Sequence, residues 1–122
     1  MNTSAKETSP ENREEIETTL RLLGLNNSYK GFDYLIYGVQ LAMESPNVLS
    51  YICKGLYMEI ALKFGTTGSC VERNIRTVRK AVWRNGSETL RIRIFGEAYM
   101  DSQPGNTEFI DALVHYIWKQ IQ

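Results

Sequence analysis

The chain has 122 residues, a formal net charge of zero, one histidine and two cysteines. That length is one domain with a core of its own, independent of metal or disulfide staples. No apolar run approaches the roughly 18 residues of a spanning helix, the polar acidic start carries no signal peptide, and Cys53 and Cys70 are too few for a disulfide framework, so membrane and secreted scaffolds are excluded and a cytoplasmic location is expected.

Residues 1–8 lack apolar periodicity and read as a flexible polar tail, leaving 9–122 as the domain. Ser9-Pro10 is a helix start, with Ser as cap and Pro at the first helical position. Glu11, Glu14, Glu15 and Glu17 favour the positive end of the helix dipole. Ile16, Leu20 and Leu23 supply the buried stripe, Gly24 ends the helix and Leu25 is the apolar contact beyond it. A second helix is expected over about 32–44, apolar on more than one side and therefore central. Ser45-Pro46 breaks it. Residues 47–53 read as a short helix bearing Val48, Leu49 and Ile52, with Gly55 as separator.

Residues 56–83 organise the chain. Tyr57, Ile60, Ala61 and Phe64 fall at i, i+3, i+4 and i+7, one face of a helix. Gly65-Thr66-Thr67-Gly68 makes a tight turn. Ser69 stands three residues before Glu72, the capping-box spacing, and Thr67 is a competing cap. In the helix that follows, Val71, Ile75, Val78 and Val82 form an apolar stripe, while Glu72, Arg73, Arg76, Arg79 and Lys80 occupy the other faces. Two helices joined by a short Gly-containing turn, the second one basic, is the helix-turn-helix pattern. Its second helix enters the major groove, where Arg bonds guanine bidentately.

Asn85-Gly86 closes this helix. Residues 87–94 are open between a helix capped by Ser87 and a strand, because Leu90 to Phe95 alternates. A loop containing Pro104 follows. Asn106 is the expected cap of a last helix over about 107–121, whose apolar face carries Phe109, Ile110, Leu113, Val114, Ile117 and Ile121, flanked by Trp118. The sum is an all-α domain, a compact bundle of about six helices.

Charge is unevenly spread. Residues 63–93 hold eight basic and two acidic side chains, a net of +6, so the remainder carries −6. A basic face on a neutral body is the electrostatic footprint of a nucleic-acid site.

Other chemistry is poorly supported. No His, Cys and carboxylate set has metal spacing, and no phosphate loop or nucleophile elbow is present, so neither an enzyme, a cofactor, a metal nor a small-molecule substrate is expected. His115 and Asp111 sit one helical turn apart, the spacing of an ordinary surface pair. Most of the tyrosines, with Trp83 and Trp118, fall at helical core spacing, which favours a core over a base-stacking role. Cys70, in the first turn of the basic helix, is where a dipole lowers a thiol pKa, but a small turn-filling residue is the simpler reading. The acidic run 11–17 reads as a solvated helix, with an autoinhibitory segment as the alternative.

The residues from Gly24 to Trp83, and more loosely from about residue 16 to the end, resemble the C-terminal DNA-binding effector domain of the sporulation master response regulator, the stage zero sporulation protein A family. The resemblance is carried by Lys30-Gly31, Tyr34-Leu35, Leu56-Tyr57, Ile60-Ala61, Thr66-Thr67, Ser69, Val71-Glu72-Arg73, Ile75-Arg76 and Ala81-Val82-Trp83. Phe95-Gly96 and Glu108-Phe109-Ile110 continue it. It implies a six-helix domain with a helix-turn-helix that binds a promoter element as a transcription factor. Glu72, Arg73 and Arg76 match positions that approach base edges or phosphates. Lys63, Thr67, Ser69, Arg79, Lys80 and Arg84 are then expected on phosphates. The family's last helix pairs domains bound in tandem, which makes Phe109, Leu113, Ile117 and Trp118 a partner or dimer surface.

Three departures stand out. The family's basic residue is replaced by Cys70, its titratable side chain by Thr77, and fewer than twenty residues precede the match, too few for the usual receiver domain. The expectation is a free-standing effector domain without a receiver. Its expected partners are double-stranded DNA, a second copy paired on DNA, and RNA polymerase. The alternative is a protein-interaction module that modulates a full-length regulator or RNA polymerase without reading DNA.

Overall fold

The structure, a computed structural model, describes residues 10–122. The expected tail over 1–8 and the Ser9 cap lie outside the described residues. Six α-helices follow one another: α1 Pro10–Leu22, α2 Lys30–Glu44, α3 Met58–Phe64, α4 Gly68–Asn85, α5 Glu88–Phe95 and α6 Asn106–Gln120. The described residues contain no strand, and none of their helices is long and apolar enough to cross a membrane. The all-α bundle expected from the periodicity is what forms.

α2 is the central post. Phe32, Leu35, Ile36, Val39 and Ala42 are fully buried along it, and α1, α3, α4 and α6 all pack against it. It begins at Lys30, two residues before the expected start. α1 docks through Ile16, Leu20 and Leu23, each at zero exposure. Its end closes as expected, with the Leu25 amide donating to the Leu20 carbonyl at 3.0 Å and the Leu25 side chain buried. The Glu14–Glu17 turn is thus part of a helix docked on the core through its apolar stripe.

The expected helix over 47–53 is different in kind. Pro46–Tyr51 is a 3₁₀ segment, and Cys53–Tyr57 is a π-helical turn that runs directly into α3. The Tyr57 amide reaches back five residues to the Ile52 carbonyl at 2.8 Å. Gly55 does not separate the elements. It lies where a Cβ would meet the Val48 carbonyl at 3.1 Å, so the two turns pack on each other.

The open segment is resolved as helix α5. The Ser87 hydroxyl accepts from the Leu90 amide at 3.2 Å, a side-chain cap that favours the helix over the strand. Phe95 at its end stacks on Phe109 of α6, with ring centroids 5.4 Å apart and planes at 12°. Trp83 of α4 tilts against Phe95 at 4.8 Å, and its indole N–H donates to the Tyr99 carbonyl at 2.9 Å. Trp83 is therefore a packing residue.

One correction concerns α6. Phe109, Leu113 and Ile117, expected on a partner surface, have zero exposure. They are the stripe by which α6 joins the core. Trp118 alone of the four is exposed, at 46 %. An apolar helix stripe in the sequence does not say which neighbour covers it, and here the neighbours are α1, α2, α4 and α5.

Candidate nucleic-acid interface

α3, the turn Gly65–Thr67 and α4 have the order and spacing of a helix-turn-helix. α3 is held by Ile60 and Ala61, both buried, while Phe64 is half-exposed and tilts against Tyr34, centroids 5.1 Å apart. Gly65 ends α3 in the left-handed region at φ 66°, ψ 41°, a conformation that a Cβ disfavours. Of the two cap candidates, Thr67 is the one used. Its hydroxyl accepts from the Cys70 amide at 3.1 Å, and α4 starts at Gly68. Ser69 then falls inside the first turn, where it is exposed.

α4 is seated by Val71, Ile75, Val78, Ala81 and Val82, all buried. Its crossing with α2 is close. A Cβ on Gly31 would meet the Asn74 carbonyl oxygen at 2.4 Å and Val78 Cγ1 at 2.8 Å, so only glycine lets the backbones approach this far. With the apolar side fixed, the opposite side is fixed too. At about 100° per residue, Ser69, Arg73, Arg76 and Lys80 project within an arc of about 60°, with Glu72 and Arg84 at its edges. This row faces solvent: Ser69, Arg73, Lys80 and Arg84 are exposed, and Glu72 and Arg76 are half-buried.

The candidate base readers differ in their surroundings. Arg76 Nη1 donates to Glu72 Oε2 at 3.2 Å. Arg73 has no carboxylate partner among the described residues. Of the candidate phosphate contacts, Lys80 and Arg84 border an open cleft of about 650 Å³ with Trp83, Met100 and Gln103. Lys63, in the last turn of α3, holds its ammonium over the Tyr37 ring at 5.5 Å. Arg79 turns away from the row toward α6. Its Nε donates to Asn106 Oδ1 at 2.8 Å and its Nη1 to Gln103 Oε1 at 2.7 Å. Burial, and then the neighbouring Arg76 charge, push its pKa down.

Asn106 is not the expected cap. Gly105 takes that position, and the Asn106 amide instead donates to the Tyr57 hydroxyl at 3.0 Å and to the Glu72 carbonyl at 3.4 Å. Burial raises the Tyr57 pKa, only partly offset by the Asn106 hydrogen bond. Sequence reasoning missed this network because its members lie up to 49 positions apart. An Asn just before a helix carries a capping signal and nothing more.

Cys70 sits beside the row in the first turn of α4. Its sulfur and its carbonyl both accept from Asn74 Nδ2, at 3.3 and 2.8 Å. A hydrogen bond with the Thr66 hydroxyl holds the thiol pKa below its ordinary range, with the Arg73 charge adding to it and burial opposing it. The Thr77 hydroxyl folds back and donates to the Arg73 carbonyl at 3.0 Å. His115 and Asp111 form an exposed pair at 3.5 Å.

The buried stripe, the short glycine turn and the solvent-facing cationic row are what a DNA-binding helix requires. The comparison with known families agrees with them. Residues 16–117 match the family model of the C-terminal domain of the sporulation initiation factor Spo0A, and the chain belongs to that family of DNA-binding effector domains.

Proposed function

We propose that this chain is a sequence-specific double-stranded DNA-binding transcriptional regulator of the sporulation effector type, with α4 lying in the major groove. The observation that carries the proposal is the single solvent-facing row Ser69, Arg73, Arg76 and Lys80, backed by a helix whose other side is fully committed to the core. Arg73 and Arg76 read bases, with Glu72 orienting Arg76 until a guanine replaces it. Lys63, Ser69, Lys80 and Arg84 set the protein on phosphates, helped by backbone N–H groups at the α4 start. Thr67 contributes by fixing that start.

The alternative, a protein-interaction module that does not read DNA, draws support from the loss of a basic side chain at Cys70. It loses the support of α6, since three of its four expected anchors are in the core. Of those four residues, Trp118 is the one left exposed for tandem pairing on DNA or a contact with RNA polymerase.

Fluorescence anisotropy with a duplex carrying the family's promoter element, and with a scrambled duplex, tests the proposal at two salt concentrations. Binding that prefers the element and weakens steeply with salt is expected, because bound cations release condensed counterions. Equal, weak binding to both duplexes would reject it.

A further inference from the structure

Arg79 stands on the flank of α4 that leaves the exposed row and meets α6. Two of its N–H groups are taken by neutral amide oxygens, Asn106 Oδ1 at 2.8 Å and Gln103 Oε1 at 2.7 Å. Asn106 also donates to the hydroxyl of Tyr57, which is 4 % exposed, and to the Glu72 carbonyl. One side-chain amide therefore joins the entrance to α3, the first turns of α4, the middle of α4 and the start of α6.

The chemistry of this cluster is selective for arginine. A guanidinium presents its donors in a rigid plane, so Nε and Nη1 can satisfy two separate acceptors together. A lysine ammonium at the same position keeps the charge but not the fork. Neither acceptor is a carboxylate, so the clasp does not neutralise the cation. The Glu72 carbonyl belongs to the turn from which Arg73 and Arg76 project. Holding that carbonyl, and holding Arg79 two turns on, constrains the roll of α4 where it matters for reading bases.

We propose that Arg79, Asn106 and Tyr57 form a positioning clasp for base recognition. It sets the angle of α4 against α3 and α6, and Arg79 acts through the helix rather than by touching a phosphate. The inference rests on the DNA-binding reading above and deepens it. Preorganised recognition groups bind better because less order remains to be gained on binding, and the advantage falls on the contacts that need register.

The test is a cognate-against-scrambled anisotropy titration at several salt concentrations, run where circular dichroism shows each variant fully folded. A purely structural role lowers the unfolding temperature and leaves this preference unmoved. The clasp predicts that Arg79→Lys lowers the preference by about three- to tenfold, the scale of coupling within one network. Binding to the scrambled duplex and the salt slope stay unchanged. Asn106→Ala removes no charge and does the same, and the double variant loses no more than either single one. Should Asn106→Ala fail to fold, Gln103→Ala, on the exposed edge, takes its place with a smaller loss of preference. A folded Arg79→Lys chain with full preference overturns the clasp, as does an additive loss in the double variant. If the unsubstituted chain shows no preference, the DNA-binding reading has failed. A preference in the unsubstituted chain that every variant retains rejects the clasp alone.

Discussion

Glu72 and Arg76, one turn apart on α4, hold each other at 3.2 Å across the solvent-facing row. Both side chains are roughly 40 % exposed, at 37 % and 43 %, so water screens the pair and its net contribution is only about 0–1 kcal/mol. Freeing Arg76 from its carboxylate therefore costs little. Glu72→Gln should leave stability within about 0.5 kcal/mol in urea unfolding, strengthen binding to scrambled DNA by removing a negative charge, and narrow the preference for the cognate duplex. Weaker binding to the scrambled duplex would contradict this.

Arg73 and Lys80 share the row but should behave differently. Arg73→Ala is expected to lose about 1–3 kcal/mol at the cognate site and to relax specificity there. Lys80→Ala should weaken binding on every sequence alike and reduce the salt slope by about one. Anisotropy with a set of single-base variant duplexes separates the two patterns.

The close crossing at Gly31 makes a stability prediction. Gly31→Ala places a methyl group 2.4 Å from the Asn74 carbonyl oxygen. The backbones must separate, at the cost of about 1–3 kcal/mol typical of overpacked cores. Urea denaturation should show this loss. DNA affinity should fall as well, because the displaced element is α4.

Cys70→Arg adds a basic side chain at the start of α4. It should raise affinity for cognate and scrambled duplexes alike and steepen the salt slope by about one. Unchanged salt dependence would mean that this position points away from phosphate.

Tyr57 predicts an alkaline limit. Burial raises its pKa above the usual value of about 10, so folding favours the neutral phenol. A raised acid contributes stability that is fully present below the unfolded pKa and is lost as pH rises toward and through the folded one. Thermal unfolding followed from pH 8 upward should show this loss beginning near pH 10, and Tyr57→Phe should reduce it. An alkaline limb of equal size in Tyr57→Phe would assign the loss to other groups.

Much of the fold was legible because it is local. Helix stripes such as Ile16, Leu20 and Leu23, or Val71, Ile75, Val78 and Val82, announce themselves at 3.6-residue spacing. Stop signals at Gly24 and Pro46 did the rest, whereas the Ser87 signal left its segment open between helix and strand, and the capped Leu90 amide decides it for the helix. The 3₁₀ and π turns between Pro46 and Tyr57 were not legible as such, since both use the same residues as an α-helix and differ only in how tightly packing winds the chain.

The candidate site divides in the same way. The amino-acid sequence by itself determined the basic helix, its apolar back and the row of Arg73, Arg76 and Lys80, because helical periodicity fixes which side chains share a face. Only the tertiary structure decided that Phe109, Leu113 and Ile117 are core, that Asn106 is a hub rather than a cap, and that Arg79 turns toward α6. Those outcomes depend on which surfaces meet across the chain, and a hydrogen bond between partners 27 or 49 positions apart leaves no periodic trace along it.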